Sequence, residues 1–186
     1  MDILYGNDVV KSMAEQMKRQ LEAIVGYIPH LAIVRVGERL DDLAYERGAV
    51  KRCEKLGIRC TVYSYPSDIG NQAFEFAFSD INADDDVDGI LLLRPLPRHI
   101  DELAITQMIN PIKDVDCISP INMAKVFSSD ESGFAPCTAE AVMEMISYAG
   151  IDLKGKRATV VGRSMVIGKP VAMMLMKKNA TVTVCH

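Results

Sequence analysis

"KRATVVGRSMVIGKPVAMMLMKKNATVTVCH", residues 156–186, decides the fold class. A short β-branched run ends at Gly162, an apolar helical pattern opens at Gly168, and a second β-branched run begins after Asn179. Strand, glycine-bearing turn, helix and strand in this order form the repeating unit of an α/β protein with a parallel sheet. A glycine at the strand end lets the turn close tightly and the backbone approach a pyrophosphate. The helix start then adds free N–H groups and the positive end of its dipole. The spacing departs from G-x-G-x-x-G: Ser164 stands in the place of the middle glycine, and the last glycine comes one position late. On spacing alone, a plain strand-to-helix turn and a phosphate cradle are evenly balanced. Arg163 either pairs with a phosphate or stays solvated.

Upstream the alternation continues. "HLAIVRVG" (30–37), "IRCTVYSYP" (58–66) and "VDGILLLRPLP" (87–97) read as strands, the last continuously apolar like the buried centre of a parallel sheet. Residues 8–25 form a helical pattern, with Val9, Val10, Met13, Met17, Leu21 and Ile24 on one face. A second helix runs through "LAYERGAVKRCEKLG" (43–57), capped by Asp41 or Asp42 and stopped by Gly57. A third covers 70–82. From 102 to 135 the pattern predicts a short helix and then a long loop with two prolines, and such loops are often functional. "TAEAVMEMISYAG" (138–150) is a helix with Thr138 as N-cap and Gly150 as stop. A boundary near 140 to 150 divides the chain into domains 1–140 and 141–186.

The bulk composition narrows the function classes. The 186 residues are 49% hydrophobic and 25% charged, ordinary for a globular protein with a real core. A net charge of −4, with basic residues interspersed among acids, gives no footprint for nucleic acid. No apolar run reaches the roughly 18 residues of a membrane span, and the N-terminus lacks the layout of a secretory signal. Five cysteines without CxxC spacing point to reduced thiols in a cytoplasmic protein. His30, His99 and His186 are scattered far from paired cysteines, so no metal site is expected.

Several segments, in order, carry a resemblance: "VGERLDDLAYERGAVKRCEKLGI", "DGILLLRPLPRHI", "KDVDCISPIN", "FAPCTAEAV" and the strand–turn–helix–strand at 156–186. Together they resemble the methylenetetrahydrofolate dehydrogenase/cyclohydrolase family. The resemblance implies an N-terminal α/β catalytic domain facing a Rossmann-like NAD(P)-binding domain. It implies oxidation of 5,10-methylenetetrahydrofolate by hydride transfer to NADP or NAD. Many members then hydrolyse the methenyl product to 10-formyltetrahydrofolate. Tyr45 matches the tyrosine that lies against the folate, and Asp116 the aspartate that hydrogen-bonds the pterin; a carboxylate accepts two N–H bonds from such an edge. Leu93 and Pro95 fall in the implied substrate-binding segment. Gly162, Arg163, Ser164 and Gly168 match the cofactor turn, and Pro136, Cys137 and Thr138 the start of the interdomain helix. The resemblance also implies a homodimer for the full-length protein. By residue type alone, Tyr45 is a half-buried helix residue and Asp116 a loop-capping aspartate; the resemblance favours function for both. Cys137 is a small buried filler rather than a nucleophile, with no histidine near it in sequence.

Two departures stand against this pattern. The family usually has a lysine one helical turn after the tyrosine, the central proton-transfer residue of the cyclohydrolase; here that position is Ala49. The family usually reads "VQLPLP" where this chain has "LLRPLP", which puts Leu93 at the glutamine that supports the lysine. Losing one polar partner leaves the other buried and unsatisfied at about 1–3 kcal/mol; losing both removes that cost. Lys51 lies about 240° around the helix from Tyr45 and points elsewhere, while Arg52 returns to the same face about 10 Å along it. A guanidinium stays protonated and cannot act as a base. The usual "DPAS" before this helix is replaced by "RLDD". The expectation is a dehydrogenase with weak or absent cyclohydrolase activity. A folate-binding relative without turnover, or a dehydrogenase of similar layout for another small substrate, are the alternatives. The chain also reads as truncated, with two Rossmann strands against roughly six in a complete doubly wound sheet and about 100 residues to follow.

Overall fold

The computed structural model describes residues 3–186. In chain order it contains α1 (Asn7–Glu22), β1 (His30–Val36), α2 (Leu40–Leu56), β2 (Arg59–Tyr65), α3 (Asn71–Ala83) and β3 (Gly89–Leu92). Then follow α4 (Glu102–Met108), α5 (Pro120–Ser128), α6 (Cys137–Tyr148), β4 (Arg157–Val161), α7 (Gly168–Lys177) and β5 (Thr181–Cys185). This is the α/β alternation with parallel sheets that the sequence predicts. Two compact units emerge. One is Ala14–Val115; the other joins the described residues up to Met13 to Asp116–His186, so α1 begins in one unit and ends in the other.

The first unit is built on a parallel sheet in the order β2-β1-β3. β1 pairs with β2 from His30↔Arg59 to Val36↔Tyr65, and with β3 from Leu31↔Gly89 to Val34↔Leu92. Every residue of this central strand except Leu31 is buried, which its β-branched and apolar composition permits. Its two polar residues, His30 and Arg35, are the exceptions in kind. Phe74 and Phe78 of α3 are fully buried, and Phe74 meets the Tyr65 ring edge-on with centroids 5.5 Å apart.

Several boundaries differ from the sequence expectation, each for a physical reason. α2 stops as predicted: Gly57 is left-handed at φ +77°, and Ile58 N–H bonds the Cys53 carbonyl at 3.0 Å. Its start lies earlier, with Arg39 at the N-cap and no side-chain capping bond. Asp41 and Asp42 are not caps but sit in the first turn, where carboxylates favour the positive end of the helix dipole. β3 closes at Leu92 rather than running to Pro97, because Pro95 and Pro97 have no N–H for the ladder. Leu93 N–H still reaches the Val34 carbonyl at 2.9 Å.

In the second unit β4 and β5 pair in parallel from Arg157↔Thr181 to Val161↔Cys185. Ala139 and Met143 of α6, and Val171 and Leu175 of α7, form its core against Val160 and Val182. Each pair is spaced by one helical turn and so shares a face. The loop expected after the first short helix holds a further helix, α5. The Ser119 hydroxyl accepts Asn122 N–H at 3.1 Å, and Pro120 fills the first helical position, where a missing N–H costs nothing. α6 begins at Cys137, so Thr138 lies inside its first turn instead of capping it; Ala149, ahead of Gly150, ends it. Among the described residues no helix is long and apolar enough to cross a membrane. Among the same residues no group of three or more His, Cys, Asp or Glu is arranged to hold a metal ion.

Candidate active site

α2 carries Tyr45 on its exposed side, with 56% of the residue open to solvent. One turn further, Ala49 turns inward. It packs, with Val50, against a buried apolar cluster of Ile33, Leu91 and Leu93. Leu93 is only 7% exposed. The two positions where the resemblance implies a lysine and its glutamine thus belong to one apolar cluster, Leu93 buried within it and Ala49 half-buried against it. Lys51 and Arg52 are both exposed. Beyond Leu93 the chain is clamped from outside: Glu102 accepts Leu96 N–H at 2.9 Å and Arg94 Nη1 at 3.2 Å. The Pro95 carbonyl accepts Arg39 Nη1 at 3.3 Å.

Beneath the start of α2 lies an ion pair that sequence reading missed. Arg35 Nε donates to Glu46 Oε2 at 2.6 Å, with side-chain exposures of 9% and 15%. Arg35 Nη1 also donates to the Gly37 carbonyl. The one signal in the sequence is an arginine within the apolar run of the strand, between Val34 and Val36.

In the other unit, Asp116 Oδ1 accepts the backbone N–H of Cys137 at 3.2 Å, at the start of α6. The aspartate therefore does what a capping aspartate does, and its remaining acceptor positions decide whether it does more. Cys137 is among the exposed cysteines. Enough protein still surrounds its thiol that loss of hydration, followed by the Asp116 charge, pushes its pKa up to about 12. A thiol held neutral in this way is no nucleophile.

The turn between β4 and α7 is closely interlocked. Gly162 adopts φ +128°, a region open only to glycine, and its N–H bonds the Cys185 carbonyl at 2.8 Å. A Cβ on Gly168 would lie 2.1 Å from the Gly162 oxygen and 2.8 Å from Arg163 N, so only glycine fits. The Ser164 hydroxyl accepts the N–H groups of Ile167 and Gly168 at 3.0 and 3.3 Å. Ser164 therefore occupies the middle-glycine place as a cap on the helix start. Arg163 is exposed. Close strand–helix packing through glycine and a helix start behind the turn are what a dinucleotide cradle requires. Beside it, Met165, Lys169 and Met173 face Met123, Phe127 and Pro136 across a mainly apolar cavity of about 260 Å³.

Comparison with known proteins decides the family. The model for the catalytic domain of tetrahydrofolate dehydrogenase/cyclohydrolase matches residues 4–116, and that for its NAD(P)-binding domain matches 136–186. The chain belongs to the tetrahydrofolate dehydrogenase/cyclohydrolase family. The bifunctional protein FolD of Clostridium kluyveri is 47% identical over 186 residues, covering 99% of this chain and 66% of its own length. The FolD crystal structure from Campylobacter jejuni matches at a TM-score of 0.93 and 36% identity, over 97% of this chain and 65% of that one. The Trypanosoma brucei FolD structure, a complex with NADP cofactor and inhibitor, matches at 0.90 and 32% identity, over 100% and 64%. This chain spans just under two thirds of the length of these family members.

Proposed function

We propose that the protein carrying this chain oxidises 5,10-methylenetetrahydrofolate to 5,10-methenyltetrahydrofolate with NADP or NAD, and that its cyclohydrolase step is weak or absent. Membership of the family and the two-part match to a catalytic and a nucleotide-binding domain support the first half. The contact of Ala49 and Leu93 with one apolar cluster carries the second. In this reading residues 1–140 serve the folate and residues 141–186 begin the nucleotide side. Tyr45 lies against the folate, Asp116 accepts N–H groups of the pterin, and Leu93 and Pro95 form the adjoining wall. Gly162, Arg163, Ser164 and Gly168 hold the nucleotide phosphates. The nicotinamide, when bound, supplies the hydride acceptor.

The division of labour follows from chemistry. Hydride transfer asks the protein for orientation and exclusion of water, which Tyr45 and Asp116 provide without moving a proton. Hydrolysis of the methenyl group requires a residue that gives and takes protons near the reacting carbon. Ala49 has no such group, and the neighbouring cations on α2, Arg47, Lys51 and Arg52, are all exposed. We place the protein in the cytoplasm as a homodimer acting on tetrahydrofolate derivatives, with no role in nucleic-acid or membrane binding. The deciding experiment assays both activities on the intact gene product with both nucleotides. NAD(P)H formation together with methenyltetrahydrofolate hydrolysis at the spontaneous rate is the expected result. Hydrolysis well above that rate overturns the second half, and absence of NAD(P)H formation overturns the first.

A further inference from the structure

Arg35 is a charged residue in the middle strand of a parallel sheet, buried to 7% exposure, where an apolar residue would normally stand. Register and alternation set its direction. Ile33, two residues before it on β1, belongs to the apolar cluster that Ala49 and Val50 of α2 pack against, and side chains two apart on a strand share a face. Arg35 therefore extends that same face toward the C-terminal end of the sheet, where α/β folds keep their ligands. It joins three pieces of backbone there: its own strand, the turn at Gly37 and the first half of α2 through Glu46.

Glu46 is the residue directly after Tyr45, and it stands three positions before Ala49 on the same helical face. The start of α2 has no side-chain cap: Arg39 at the N-cap position donates to the Pro95 carbonyl at 3.3 Å and accepts no helix N–H. Among the described residues, the only other ion pair at the start of α2 is Arg39 with Asp42, at 3.9 Å and half exposed on the arginine side. A buried ion pair contributes little net stability compared with apolar residues of equal size, so its worth lies in the geometry it imposes.

We propose that Arg35 and Glu46 are positioning residues for the folate site: their buried pair fixes the rotation and height of α2 and so sets the ring of Tyr45. This inference rests on the folate reading of Tyr45 given above. Neither residue touches the reacting atoms. Their effect should appear in folate affinity and not in nucleotide affinity.

The test uses the intact gene product and two variants. Arg35→Met/Glu46→Leu removes both charges together and leaves no unpaired ion, so the fold is retained and Tm is unchanged or higher. Glu46→Gln keeps an oxygen for Arg35 Nε but removes the charge. The expected result for the double variant is a folate KM raised by at least about tenfold, since small misplacements of binding groups carry penalties of that order. Its KM for NAD(P) stays unchanged, and Glu46→Gln falls between it and the unaltered protein. Retained Tm with unchanged folate KM in the double variant overturns the proposal, as does a parallel rise in both KM values. If the double variant does not fold, Glu46→Gln alone is read by the same two criteria. An unaltered protein that makes no NAD(P)H counts against the dehydrogenase reading; the pair is then judged by tetrahydrofolate binding in a calorimeter. A protein that neither binds nor oxidises folate sinks both.

Discussion

Ala49 of α2 packs against the apolar cluster that holds Leu93, together with Ile33 of β1 and Leu91 of β3. A lysine and a glutamine at these places would put two polar groups into that cluster, each satisfied by the other. Replacing only one of them leaves its partner without a bonding group. The pair therefore has to be altered together.

Ala49→Lys alone is expected to leave methenyltetrahydrofolate hydrolysis near the spontaneous rate. The new ammonium would face Ile33, Leu91 and Leu93 with no acceptor, at a cost of about 1–3 kcal/mol. Ala49→Lys/Leu93→Gln should recover part of that loss and show the larger gain in hydrolysis. Chemical denaturation and a spectrophotometric hydrolysis assay on the two variants check both parts.

Asp116 invites a test that separates its capping role from a pterin-binding role. Asp116→Asn keeps an oxygen for Cys137 N–H and should hold stability close to that of the unaltered protein, whereas Asp116→Ala should lose about 1 kcal/mol. If the carboxylate also accepts pterin N–H groups, both variants raise the folate KM. A variant Asn with ordinary folate KM would reduce Asp116 to a cap.

Gly168→Ala is expected to destabilise the second unit by about 1–3 kcal/mol, since the added methyl meets backbone that cannot step aside. Thermal unfolding measures the loss. Nucleotide KM should rise in the same variant, while folate binding stays intact.

Cys137 makes a prediction in pH. Its thiol is raised in the folded state to about 12, so its contribution to stability is complete below the ordinary thiol pKa and is lost as pH rises toward 12. Alkylation of Cys137 by iodoacetamide should accordingly be slow at pH 8 and climb only in strong alkali. Asp116→Asn removes one of the two main causes of the shift, and the alkylation profile should move to lower pH. Peptide mapping after timed alkylation reads the site directly.

Much of the architecture was legible because its signals are local. The strands are short β-branched runs, Gly57 ends α2 in the left-handed conformation that glycine favours, and the turn at Gly162 and Gly168 stands between strand and helix as its glycines require. What escaped the sequence depended on competition or on distance. α5 was hidden by the prolines around it, although Ser119 followed by Pro120 is itself a helix-start signal. Asp41 and Thr138 were eligible caps, but the helices began before them, at Leu40 and Cys137. Arg35 and Glu46 are 11 residues apart and meet only because the chain turns from strand to helix between them. The contact between Ala49 and the cluster holding Leu93 likewise exists only once α2 has docked on the sheet.

The close approach at Gly168 has a mechanical consequence. The first turn of α7 rests directly on the backbone of Gly162 and Arg163, while Ser164 ties the intervening loop to that same turn. Loop and helix cannot move independently, so the segment is a rigid seat rather than a flap. On the nucleotide reading proposed above, discrimination between nucleotides comes from side chains at the rim, such as exposed Arg163, rather than from closure of the turn.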